Sequence, residues 1–134
     1  MANVTDALMA LNIDEWSLLG NPTSEAEFNA QFKKVTGTDE NGSGILSSNP
    51  SDFGTTWSAV SAKVTELTNA EPMVELRKQR DALLADTDFY ALSDVTMADD
   101  MASYRQSLRD LPSGASPTLT DGVLGNVTFP TKPS

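Results

Sequence analysis

Apolar residues fall at helical rather than alternating spacing over most of the chain. Val4, Leu8 and Leu11 stand at i, i+4 and i+7, which predicts a short first helix capped by Asn3 or Thr5. "EWSLLG" is short and apolar, ends in Gly20 and reads as a strand. "NPTSEAEF" then gives a turn and a capping box, with Ser24 as N-cap and Glu27 three residues on. Phe28, Phe32 and Val35 continue at i, i+4 and i+7, and Gly37 stands where a helix stops. Ala26, Phe28, Ala30 and Phe32 also alternate, as a strand would, but the cap and the stop both favour a helix.

Residues 37–55 are rich in Gly, Ser, Asn and Asp and read as a long loop. "GTTW", 54–57, is the expected second strand, pairing with "EWSLL" as a two-stranded ribbon near Trp16 and Trp57. Such a ribbon needs helices to pack on. Trp57, Val60, Val64 and Leu67 predict a helix from about Ser58. Pro72 interrupts it and opens a new one to about Ala85, with Met73, Leu76, Leu83 and Leu84 inward. Met97, Met101, Tyr104, Leu108 and Leu111 form one stripe, ended by Pro112. Four of the seven prolines, Pro112, Pro117, Pro130 and Pro133, lie in the last 23 residues, which read as extended and turn-rich. The expectation is an α-rich α+β fold of several short helices, a small β ribbon and an extended C-terminal tail. It forms one compact domain with three parts, 1–70, a helical hairpin over 71–111, and the tail 112–134.

Composition narrows the function classes. The 134 residues suit one domain and contain neither cysteine nor histidine. The usual general base, the usual zinc ligand and thiolate chemistry are therefore missing. A formal net charge of -10 disfavours nucleic acid and anionic membranes as partners. No segment has the run of roughly 18 apolar residues that a membrane span needs, and the N-terminus lacks the basic and apolar regions of a signal peptide. An enzyme would have to work with carboxylates, Lys, Tyr or Ser alone. Asp86, Asp88, Asp94, Asp99 and Asp100 lie near one another in sequence, but acidic stretches are usually solvated. No cofactor motif is present. Asp39, Asn41 and Ser43 resemble the first half of a calcium loop, yet its twelfth position is Pro50 where a bidentate acid belongs. A polar turn is the simpler reading. The aromatics Trp16, Phe28, Phe32, Phe53, Trp57, Phe89, Tyr90 and Tyr104 read as core, with carbohydrate stacking by Trp16 or Trp57 as the alternative.

The segment "ELRKQRDALLADTDFYALSDVTMADDMASYRQSLRDLPSG", followed by a terminal "FPTKP", carries a more specific pattern. It resembles the C-terminal module of phage tail assembly chaperone and tail fibre assembly proteins. The matching positions are Arg77, Arg80, Asp81, Leu84, Asp86, Asp88, Asp94, Tyr104, Arg105, Leu108, Arg109 and Asp110. Phe89 and Phe129 replace the tryptophans usual in that pattern and keep a large apolar ring. The front half, "EWSLLGNPTSEAEFNAQFKKVTG" with "DFGTTW", looks like part of such modules in tailed phages of marine cyanobacteria, where the module also occurs in proteins that stay in the virion. The resemblance implies a non-catalytic role in tail or tail fibre assembly. The chain would be an assembly chaperone in the host cytoplasm, or a small tail-associated subunit of the virion. Partners would be other tail, fibre or baseplate proteins, or further copies in a symmetric virion. A calcium-binding or carbohydrate-contacting decoration module is the alternative.

Two local expectations follow. Acids at Asp86 and Asp88 oppose the dipole of a helix that ends near Ala85, so one of Asp86, Asp88 and Asp94 should bond to turn amides or to Arg77, Arg80, Arg105 or Arg109, with two parallel bonds from an arginine fork. In the tail, Leu124, Val127, Phe129 and Pro130 are the candidate partner-binding residues, on an extended strip whose other side carries Asn126 and Thr128. The competing reading folds that strip back onto the last two helices.

Overall fold

The computed structural model describes residues 1–134. The chain is an α-rich α+β protein made of two compact units, Met1–Asn69 and Ala70–Ser134. Four helices, α1 (Val4–Ala10), α2 (Glu25–Gln31), α3 (Trp57–Asp86) and α4 (Asp99–Gly114), accompany two small antiparallel sheets. No helix is long and apolar enough to cross a membrane.

In the first unit, strand β1 (Trp16–Leu18) pairs with β2 (Phe32–Thr38), and β2 pairs with β3 (Gly44–Ser47). Trp16 lies opposite Lys34 and Leu18 opposite Phe32. This differs from the expected ribbon in two ways. Residues 15–19 never pair with 54–57, and the helix expected to reach Val35 stops at Gln31. The N-cap forms as read, the Ser24 hydroxyl accepting the Glu27 amide at 3.2 Å, but the capping box does not close on Ser24. Glu27 reaches past Ser24 to the Thr23 backbone amide at 2.7 Å and its hydroxyl at 3.0 Å. The amide, then the hydroxyl, holds the Glu27 carboxyl below its ordinary range. Beyond Gln31, the β-branched Val35, Thr36 and Thr38 favour extended backbone, and a strand between two neighbours satisfies both of its edges. Phe28 and Phe32 serve the helical spacing anyway, because Phe32 is the residue that caps α2.

Residues 54–57 cannot extend a sheet. Gly54 has φ +73°, and Thr56 caps α3 by accepting the Ala59 amide at 3.2 Å. The long loop is shorter than the composition implies. Its first two residues belong to β2, Gly44–Ser47 are β3, and a 3-10 turn, Pro50–Asp52, follows. Around this frame Val4, Ala7, Leu8, Phe28, Phe32, Phe53 and Val60 form the core. The Phe28 and Phe32 rings lie 4.9 Å apart, and Phe53 meets Phe32 edge-on at 4.7 Å. Such pairs add roughly 0.5–1.5 kcal/mol beyond their burial. Trp16 and Trp57 are partly buried and pack against this cluster.

Helix α3 runs unbroken for 30 residues with Pro72 inside it, where two helices were expected. Pro72 removes the amide that would bond the Thr68 carbonyl, and its ring crowds that carbonyl. Neighbouring turns nonetheless keep the helix continuous, so the proline falls inside the helix and near the division between the units. Pro112 likewise sits inside α4, which runs on to Gly114 and closes with the Ser113 hydroxyl on the Asp110 carbonyl at 2.7 Å. A proline near a helix end forfeits one bond; the remaining turn still closes.

In the second unit, the segment read as plain extended chain contains a hairpin. Strands β4 (Thr118–Thr120) and β5 (Val123–Gly125) pair with Leu119 opposite Leu124. Their two-residue turn, Asp121–Gly122, has φ +50° and +78°, both positive, as a tight hairpin turn requires. At Gly125 a Cβ would stand 2.8 Å from the Thr118 hydroxyl, so a larger residue there would need Thr118 to rotate away.

Pro72→Ala restores one helix donor and is expected to stabilise the protein by about 1–2 kcal/mol, the gain in helix propensity less the entropy lost from the proline-stiffened unfolded chain. A urea melt measures this. A less stable variant would show that the fold needs the proline's distortion.

Candidate functional site

The second unit is organised around the end of α3 and the inner face of α4. Met101, Tyr104 and Leu108 are the buried stripe of α4, with Leu83, Leu84, Tyr90, Met97 and Phe129 packed against it. Arg105 lies in this buried stripe, only 6% exposed. A guanidinium remains charged there and must find acceptors.

The acceptors come from the end of α3. Arg105 Nη1 donates to the Leu84 carbonyl at 2.9 Å and to the Thr87 hydroxyl at 2.7 Å. Its Nη2 donates to Asp88 Oδ1 at 3.0 Å. Thr87, fully buried, sends its amide and its hydroxyl back to the same Leu84 carbonyl at 3.0 and 3.1 Å. Arg105 Nε is buried without a partner. The last turn of α3 contains no basic residue. Arg105 therefore supplies from α4 the positive charge that the carbonyl end of a helix favours. Asp88 then completes the balance. An arginine–acid bond was expected here and is present, but as one contact among three, since the fork is split between a carbonyl, a hydroxyl and a carboxylate. Asp88 keeps 67% of its side chain exposed, so the pair is half in solvent.

The other singled-out residues have plainer surroundings. Arg80 Nε pairs with the adjacent Asp81 at 2.8 Å. Arg77, Asp86 and Asp94 are exposed and make no ion pair. Arg109 does not share the burial of Arg105: it is exposed and reaches Gln106 at 3.5 Å, while Gln106 donates to Asp110 at 2.9 Å. Phe89 is not core. It is 62% exposed, and Tyr90 beside it is the ring that packs inward. Asp39 acts as a turn former, its Oδ1 accepting the Asn41 and Ser43 amides at 2.8 and 2.9 Å. No group of three or more acidic side chains is placed to hold a metal ion.

In the tail, Leu124, Val127, Phe129 and Pro130 are half-buried while Asn126 and Thr128 are exposed. Phe129 is seated on the cluster of its own unit. A cleft of about 690 Å³ opens between the last turns of α4 and the tail, lined among others by Asp110, Leu111, Asn126 and Val127. Asp110 is the single ionisable residue on its wall.

Two features escaped the sequence reading. The hairpin was signalled by "TLTDGVLG", in which Asp-Gly lies between apolar residues. Thr87 had no such signal: its role comes from burial against Arg105, 18 residues away.

The second unit is thus a small acidic module whose two helices are joined by an ordered polar junction at Arg105. Residues 73–134 match the family model of phage tail assembly chaperone proteins, and this segment is a phage tail assembly chaperone-like module. The match falls wholly within the second compact unit. No curated protein and no solved structure matches the chain.

Removing Arg105 strands the acceptors it serves. Arg105→Met is expected to cost about 2–4 kcal/mol, and Arg105→Lys to recover little, because one ammonium cannot span three directions. Asp88→Asn is expected to cost only about 0–1 kcal/mol, as a solvated pair does. Equal losses in a denaturant titration of the two sites would contradict this division.

Phe129→Ala is expected to destabilise the protein by about 1–3 kcal/mol, the value of partly burying an aromatic ring. Unchanged unfolding would mean that the ring contributes nothing to its own unit and is free for another chain.

Proposed function

We propose that the chain works in the assembly of a phage tail as a chaperone. It binds another tail, fibre or baseplate protein through the unit that spans 70–134, and it catalyses no reaction. The observation that supports this most is the coincidence of the matched segment with a compact structural unit. A module that folds around its own core can present a fixed surface. The absence of His and Cys and the lone carboxylate of the cleft agree with a contact role. The place of action on this reading is the host cytoplasm during assembly.

A second reading keeps the same contacts but makes the chain a permanent small subunit of the virion. It draws on the resemblance of the front half to modules of tailed cyanophages, which occur also in proteins that stay in the virion. The two readings separate by copy number. Tagged full-length protein expressed during infection is expected to co-purify with a tail protein, while quantitative mass spectrometry finds the chain depleted from purified virions. Stoichiometric copies in the particle would establish the subunit instead. Absence of any tail protein from the purified complex would overturn both.

A further inference from the structure

The second unit exposes two large apolar side chains on one short turn. Residues Asp88–Ala91 form a 3-10 turn that Leu92 caps. Side chains three apart on such a turn eclipse one another, so Phe89 and Leu92 share a face. Phe89 is 62% and Leu92 52% exposed. The turn is held in place from within. Tyr90 bonds through its amide to the Thr87 carbonyl at 3.1 Å, Leu92 to that of Phe89 at 3.3 Å and Val95 to that of Leu92 at 3.1 Å. The Tyr90 ring packs on the core and meets the Phe89 ring edge-on at 5.7 Å. Thr87 and Asp88, which lead into the turn, are bonded to Arg105. The apolar pair is thus presented on a fixed support, which lowers the ordering cost of any contact.

The stretch of chain that carries it is acidic, and of its acids only Asp81, with Arg80, and Asp88, with Arg105, are ion-paired. From Asp81 to Tyr104 the chain carries Asp81, Asp86, Asp88, Asp94, Asp99 and Asp100 and no lysine or arginine. Arg105, the nearest base after it, is buried and engaged. Asp86, Asp88 and Asp94, on either side of the apolar pair, are exposed.

We propose that the face bearing Phe89 and Leu92 docks a short cationic, amphipathic segment of a partner tail protein. That segment would place one or two large apolar side chains between lysines or arginines. This rests on the assembly reading and names the surface and the partner chemistry for it. A second copy of this chain fits poorly, because the apolar pair would bring two such acidic stretches together. An acidic or neutral apolar segment would forgo the charge complement.

The test uses the full-length protein and an array of 15-residue peptides tiled across the tail and fibre proteins of the parent phage. Retained peptides are expected to carry net positive charge with a large apolar residue. Raising salt should weaken their binding, because the acids are exposed and screened. Phe89→Ala with Leu92→Ala is expected to lower affinity at least about tenfold, as loss of a central anchor does. Both side chains are largely in solvent, so the variant should melt like the parent, and circular dichroism confirms that it folds. Asp86→Asn with Asp94→Asn should lower affinity less and flatten the salt dependence.

Several results would overturn the inference: retention of no peptide, retention of acidic or neutral ones, or binding indifferent to Phe89 and Leu92. Self-association in analytical ultracentrifugation that is lost in the double alanine variant would also overturn it, since the occupant would then be a second copy. These failures differ from failure of the assembly reading. A tail protein that still co-purifies with the double alanine variant leaves that reading intact and removes only this surface.

Discussion

The guanidinium of Arg105 determines how the second unit is built. Buried charge is unfavourable unless it is matched, and here the match is spread over the Leu84 carbonyl, the Thr87 hydroxyl and Asp88. Each acceptor lies at or just beyond the end of α3, so satisfying one side chain of α4 fixes where α3 stops and how the chain leaves it. The same bonds explain the acids after α3. A carbonyl terminus followed by Asp86 and Asp88 is electrostatically poor on its own. With Arg105 inserted, one of those acids becomes a partner and the carbonyl end gains its cation. The arrangement also separates strength from specificity. Most of the burial belongs to the arginine, while Asp88, in water, adds direction more than free energy.

The first unit depends instead on aromatic packing. Phe28, Phe32 and Phe53 are all nearly inaccessible and stack or meet edge-on, with Trp16 and Trp57 at the margin. Two of the rings sit at either end of a helix-to-strand change. Phe28 belongs to α2 and Phe32 is the first residue of β2. The core therefore tolerates a change of backbone type between them, provided both rings point inward.

That tolerance is why the sequence was legible in some places and misleading in others. The spacing of Phe28, Phe32 and Val35 is helical, and the core positions it predicts are correct for the two phenylalanines. What spacing could not carry is that strand pairing on both sides of β2 outweighs one more helical turn. Trp57, Val60 and Val64 were readable as a helix because Thr56 caps it locally. The strand expected at 54–57 failed because Gly54 turns left-handed there. At the candidate site, the apolar stripe of α4 and the bond between an acid and an arginine could be read from spacing and charge. The burial of Arg105 and not Arg109, the role of Thr87 and the exposure of Phe89 depend on which face meets α3. Those are long-range facts, and local pattern has no term for them. The Asp-Gly hairpin is different in kind, since its signal was local.

The surface charge around the 3-10 turn bears on why an exposed phenylalanine is tolerable at all. A large apolar pair in water invites copies of the protein to associate. Of the six acids from Asp81 to Asp100, Asp81 pairs with Arg80 and Asp88 with Arg105; the other four oppose that association, because two such surfaces repel. Repulsion of this kind costs some stability within the chain itself, and the internal match of Arg105 with Asp88 offsets part of it. The balance thus disfavours association of identical copies through that face. It also makes that face selective, since a partner must bring positive charge as well as apolar area to approach it. Resistance to self-association and selectivity for a partner then have one physical cause, the exposed acids that flank the apolar pair.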